Sequence, residues 1–277
     1  MTTPTASIRV ADPYAPVPAS ARQFLHHLNP LAKLAAVIPA VLLLVFVRDL
    51  LTPTMFLVLA YALILAGCRL SRGTWILLAV LPVAALALTL GFSLWVDAAS
   101  VADTAVVLRI GEWTLFTGAL QVGLASALRL AAIVALALVP GLSITGPDLV
   151  HASIQQLHVP YRIGYTALAA YRFVPRFGHE LSVIRAAHRV RGHRRGGGRG
   201  PIARLVRGWG YILPLLASGI RHAERVALSM DARAFGAFRT RTERHLVPWR
   251  TRDTVFLAAM IAASALIFAA TFPWQLP

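Results

Sequence analysis

The 277-residue chain is 57% hydrophobic, carries only 14% charged residues and still holds a formal net charge of +16. Its mean hydropathy of +0.67 lies well above that of soluble domains, so the bilayer is the expected solvent for much of it. The single cysteine, Cys68, excludes an internal disulfide and a cysteine-based zinc site, and 11 acidic residues leave little material for carboxylate chemistry.

Residues 1–24 are rich in proline and alanine without a continuous apolar core, which reads as a flexible cytoplasmic leader rather than a signal peptide. Five apolar runs then follow, each near the ~20 residues that cross a hydrocarbon core. They cover 31–47, 52–68, 74–96, 117–140 and 254–272. Pro39 and Pro82 fall inside runs, where membrane helices tolerate a kink, and Pro140-Gly141 is expected to end the fourth. Arg129 lies in the middle of that fourth run. An arginine there is costly unless it faces protein or water, or snorkels. Residues 145–253 carry 19 arginines against 6 acidic residues, so they are expected on the cytoplasmic side, with the N-terminus inside and the 97–116 connection outside. The predicted architecture is all-α and polytopic. Four membrane helices occupy 25–144, a cytoplasmic insert 145–250, and a final membrane helix 251–277.

Inside the insert, residues 160–191 mix apolar and basic positions too evenly for a lipid-facing span. Leu168, Tyr171, Leu181, Ile184 and Ala187 recur at broadly helical steps, and Pro175 is expected to bend or break that helix. RGHRRGGGRG then reads as a flexible basic joint. A second helical pattern runs over 203–234, with Ala223, Ala227, Met230 and Ala234 on one face. Each pattern ends on a small or compact residue, an arginine and a very small residue: Val190-Arg191-Gly192 and Ala232-Arg233-Ala234. Four positions before each arginine stands another small residue, Ala187 or Ser229. A cation and a glycine at a helix end can be a simple cap. The recurrence points further, to two thin helix ends that enter a partner's groove, with arginine offering a planar fork to a carboxylate there.

These features together resemble the transmembrane T component of energy-coupling-factor (ECF) transporters, the CbiQ/BioN-like family. The resemblance begins at LNPLAKL (28–34), continues through LRLAAIVALALVPGLSITGPDLVHASIQQLHVPYRIGYTALAAYRFVP, and takes in both arginine motifs and the FRTRT that follows. It implies two coupling helices, each ending in an Ala-Arg-Gly-like motif that docks into a groove of an ATP-hydrolysing subunit. By position, the coupling residues are Ala187, Val190, Arg191 and Gly192 at the first tip, and Ser229, Ala232, Arg233 and Ala234 at the second. Val190 replaces the usual alanine and Ala234 the usual glycine. The resemblance further implies two ECF-type ATPases, a substrate-binding S component and membrane lipid as partners, with no cofactor and no catalysis in this chain. The cargo would be a vitamin, a vitamin precursor or a metal ion.

Other constellations point to less. GGGRG follows no strand and lacks Gly-Lys-Ser/Thr, so it is not a P-loop. His26 and His27, and His151 and His158 with Gln155 and Gln156, read as headgroup-level surface. Arg172 and Arg176 read as residues that stabilise the insert or touch headgroups. The competing reading is a membrane-anchored basic protein that binds anionic lipid or nucleic acid through 185–245. RGHRRGGGRG carries no interleaved aromatics to stack bases, so nucleic acid is not expected.

Overall fold

A computed structural model describes residues 23–96, 104–110, 113–190 and 201–272. Among the described residues, regular secondary structure is helical apart from one two-stranded hairpin. A short 3-10 turn at Phe24–His27 precedes α1 (Pro30–Leu44), α2 (Leu51–Gly67) and α3 (Arg72–Ser93). Strands β1 (Val106–Ile110) and β2 (Trp113–Phe116) follow, then α4 (Thr117–Ser143), α5 (Gly146–Gln156), α6 (Tyr161–Val190), α7 (Pro201–Asp231) and α8 (Thr251–Ala270). The all-α, polytopic expectation holds. The antiparallel hairpin, with Ile110 opposite Trp113, lies inside what the sequence reading took for a plain connection. Two further expectations are corrected. Pro175 neither ends nor splits α6, and α4 runs past Pro140-Gly141 to Ser143. A proline removes one helical N–H, and a helix packed on neighbours absorbs that loss.

The chain divides into two compact units, residues 1–144 with 249–277, and residues 145–248. The first is built for lipid. Helices α3, α4 and α8 are long and apolar enough to cross a membrane, while α1 and α2 are shorter apolar helices. Outward faces carry bare hydrophobes such as Val83 and Leu86, and Trp95 just past α3 is 92% exposed, which only a lipid solvent would favour. Helix α4 forms the centre. Ala131, Ala132, Ala135, Leu136 and Val139 are buried against α1, α2 and α3 in one cluster with Phe56, Ala60 and Ile64. Small residues allow this closeness. A Cβ added at Gly123 would lie 2.7 Å from the Thr89 carbonyl oxygen and 2.9 Å from the Ser93 nitrogen of α3.

Several buried polar groups in this unit sit at helix ends, where unsatisfied backbone would otherwise meet hydrocarbon. The LNPLAKL segment is a set of such fastenings. Asn29 N-caps α1 by accepting from the Leu31 N–H, and Pro30 follows at the first helical position. The Asn29 N–H donates to Asp253 Oδ1 at 2.7 Å, and Asp253 Oδ2 accepts from the Arg250 N–H at the start of α8. Lys33 is buried to 1% exposure, and its Nζ donates to the Ser143 carbonyl at the C-terminal end of α4. A cation there also meets the negative end of the helix dipole.

Arg129 finds its partner in the same way. Helix α1 stops at Leu44, three residues before its apolar run ends, and the Val45 and Val47 carbonyls leave the helical ladder. Arg129 Nη1 donates to both, at 3.3 and 3.2 Å. The arginine inside the fourth run caps the end of α1.

Candidate coupling site

The second unit contains α5, α6, α7 and the irregular stretch that follows α7. Thr145 caps α5 by accepting from the Asp148 N–H and donating to its carboxylate at 2.6 Å. Helices α5 and α6 approach closely at Gly164, where an added Cβ would lie 2.5 Å from Ile154 Cδ1.

Helices α6 and α7 pack antiparallel, a direction fixed by their pairings. Phe173 stacks on His222 at 4.5 Å, and Phe177 lies near Gly219. The Ser218 hydroxyl donates to Glu180 at 2.5 Å, and Tyr211 meets His188 edge-on at 5.2 Å. As the α6 number rises, the α7 number falls. The C-terminal end of α6 is therefore far from that of α7, which returns to the start of α6. Arg162 donates to the Gly236 carbonyl there, and Tyr161 packs on Phe235 at 5.6 Å. From Arg162 to Val190 is roughly 28 residues, or about 42 Å at ~1.5 Å per residue.

The second tip has a defined backbone. The Phe235 N–H donates to the Met230 carbonyl at 3.0 Å and the Ala234 N–H to the Asp231 carbonyl at 2.9 Å. Those two bonds make a Schellman cap, in which Arg233 is the C-cap and Ala234 the left-handed residue after it. Ala234 has φ 55°, and Gly236 follows at φ 89°. Ala232, Arg233 and Ala234 are exposed, and so is Ser229, whose hydroxyl donates to the Val226 carbonyl. At the first tip, Ala187 and Val190 are exposed on α6, Val190 to 88%. Arg191 and Gly192, and the glycine joint after them, lie outside the described residues.

Beyond the second tip, residues 236–247 lie along α5 and α6 without regular secondary structure, so side chains take their backbone groups. Tyr161 donates to the Phe238 carbonyl, and Gln156 donates to the Val247 carbonyl at 2.9 Å. Gln155 both donates to the His245 carbonyl and accepts from the Val247 N–H. The Tyr165 hydroxyl donates to Glu243 at 2.6 Å, and Arg241 covers the Tyr165 ring at 4.7 Å. Burial and the adjoining carboxylate push the Tyr165 hydroxyl up to about 12. His151, expected at the surface, is buried beneath this strap, with Nδ1 3.8 Å from Glu243 Oε2 and its ring 5.8 Å from His245.

The sequence reading missed this fastening. Its signal was the adjacent amides of Gln155 and Gln156 in an amphipathic helix, each able to donate and accept for an irregular backbone. The strap and the start of α6 also enclose a cavity of about 530 Å³, walled by Tyr161, Tyr165, Phe235 and Phe238 and by Arg172, Arg233 and Arg241.

The amino-acid sequence matches known proteins along most of its length. Residues 21–244 match the family described as CbiQ, cobalt transport protein. The chain belongs to that family. The energy-coupling factor transporter transmembrane protein EcfT of Staphylococcus aureus is 29% identical over 254 residues, covering 88% of this chain and 92% of that protein. The EcfT of Limosilactobacillus fermentum is 30% identical over 118 residues, 42% of this chain and 44% of its own. The EcfT of Bacillus subtilis is 25% identical over 171 residues, 59% and 64% of the respective chains. The CbiQ match and the bare apolar helices together make this a membrane-embedded transport protein, the T-component kind that its sequence resembles.

Proposed function

We propose that this T component couples two partner ATPases to a substrate-binding S component, and that its two arginine tips are the parts the ATPases grip. The observation that carries this reading is the antiparallel pairing of α6 and α7, which sets the C-terminal ends of the two helices about 42 Å apart at ~1.5 Å per residue. Two tips close together would suit one partner groove; tips at opposite ends of a helical strut suit two. In this mechanism ATP binding draws the ATPases together, and each carries one end of the strut. The displaced strut then reorients the S component, which releases a vitamin, vitamin precursor or metal ion inward. Residues 145–250 form the coupling element on the cytoplasmic side, the N-terminus lies on that side too, and five helices span the membrane. Hydrolysis belongs to the ATPases, and this chain catalyses nothing.

Co-purification in detergent tests the proposal. The native chain is expected to retain ECF-type ATPases through gel filtration at high salt. An Arg191→Glu/Arg233→Glu variant with unchanged elution and melting temperature is expected to lose them. Retention by that folded variant would overturn the assignment of the tips.

A further inference from the structure

The cavity beside the second tip has a basic and aromatic lining. Arg172, Arg233 and Arg241 contribute to its wall, and no carboxylate does. Glu243, beside the lining residue Tyr165, accepts from its hydroxyl and lies close to His151. Arg241 is already pre-set, its guanidinium lying over the faces of Tyr165 at 4.7 Å and Phe235 at 5.9 Å. Three guanidinium groups around one hollow make a positive potential that a single carboxylate would neutralise only in part. Planar guanidinium forks match the oxygens of a phosphate. Beside them, Tyr161 and Tyr165 have committed their hydroxyl protons to Phe238 and Glu243, so what they offer the cavity is largely ring surface. The volume of about 530 Å³ suits a small organic molecule better than a bare ion.

We propose that this cavity binds an organic phosphate, with its phosphate on Arg172, Arg233 and Arg241 and its apolar portion on the aromatic wall. The source is a phospholipid headgroup or a free phosphate ester, which share this chemistry. Because Arg233 and Ala234 belong both to the cavity and to the second tip, an occupant there would alter the surface that a partner meets. The binding itself does not depend on the coupling role.

The test uses the full chain in neutral detergent, without any ATPase, and reads the melting temperature against probe concentration. The probes are glycerol phosphate, dioctanoyl phosphatidylglycerol and, as a zwitterionic control, dioctanoyl phosphatidylcholine. Saturable stabilisation by phosphatidylglycerol alone identifies a lipid headgroup; stabilisation by glycerol phosphate as well identifies a phosphate ester site open to soluble ligands. In either case Arg172→Gln/Arg241→Gln is expected to weaken binding about tenfold or more. Arg221→Gln/Arg225→Gln, which removes two exposed arginines of α7 outside the cavity lining, is expected to leave it unchanged. Arg241→Lys keeps the charge and is expected to lose affinity with the fork. No saturable binding to any probe, or equal loss in both double variants, would overturn the proposal. So would a cavity variant that keeps phosphate binding and loses only ATPase capture in the separate co-purification, since the lining would then serve a protein partner.

Discussion

Ala234 occupies a backbone position that favours glycine, and the cost can be tested directly. Its φ of 55° places it in the left-handed region, after the last turn of α7. An L-residue there costs roughly 1–2 kcal/mol because Cβ crowds the following carbonyl. Glycine removes that cost but adds about 0.5–1 kcal/mol of lost chain freedom on folding. Ala234→Gly should therefore stabilise the tip by a net ~1 kcal/mol or slightly less, equivalent to about fivefold slower local opening. The amides that report it are those of Ala234 and Phe235, which close the cap on Asp231 and Met230. Hydrogen exchange followed by mass spectrometry over a peptide spanning 228–238 is expected to slow by about that factor. Ala234→Val should speed it, since a β-branched residue fits this region worst. Unchanged or faster exchange in Ala234→Gly would refute the left-handed cap, and with it the backbone assigned to the second tip.

Arg129→Met should lower the melting temperature in detergent, because the Val45 and Val47 carbonyls lose their donor at about 1–3 kcal/mol for each group left unsatisfied; Arg129→Lys should recover part of the loss. Gly123→Leu should destabilise by about 1–3 kcal/mol through its clash with α3, whereas Gly141→Ala, with open space around it, should be neutral or slightly stabilising in the same melt. Tyr165 should ionise late. Its folded pKa of about 12 lies above the ordinary tyrosine value of 10.0, so the neutral hydroxyl's contribution to strap stability is complete below pH ~10 and is lost as pH rises through ~12. An ultraviolet tyrosinate titration should show a late component that Tyr165→Phe removes, and protease cleavage within 238–247 should rise over the same interval.

Much of the fold was written in local patterns, and what was missed has identifiable causes. The apolar runs located all five apolar helices because length and hydropathy are properties of contiguous residues. Where an end was misplaced, the deciding group was distant or small. Helix α1 stops three residues before its run does, at carbonyls taken by an arginine 82 and 84 positions along the chain. Ser71 starts α3 two residues before the apolar run, through a reciprocal cap with Thr74. The hairpin was legible and overlooked. VVLRI and WTLF are two apolar-rich runs separated by Gly111-Glu112, a recognised hairpin spacing, but the stretch was read only as a connection on the outer side. Lys33 shows the other limit. Its motif pointed to a role, but its bond to Ser143, 110 positions away, needed the fold.

The second tip sharpens the choice between a cap and a docking device. Small residues flank each arginine in the sequence, and at position 234 the smallness has its own cause. A Schellman cap demands a left-handed residue after Arg233, and glycine or a compact residue meets that demand with no partner at all. Smallness at 234 therefore supports docking weakly. The arginine supports it better. A C-cap residue contributes its main chain to the geometry, so the Arg233 side chain can change while the cap stays closed. Arg233→Glu should leave the exchange of the Ala234 and Phe235 amides within about twofold of native, allowing for a dipole effect of a few tenths of a kcal/mol. If ATPase capture falls while those amides stay protected, the side chain is what the partner reads. If capture and protection fall together, the arginine acts through the helix end, and the cap explanation suffices.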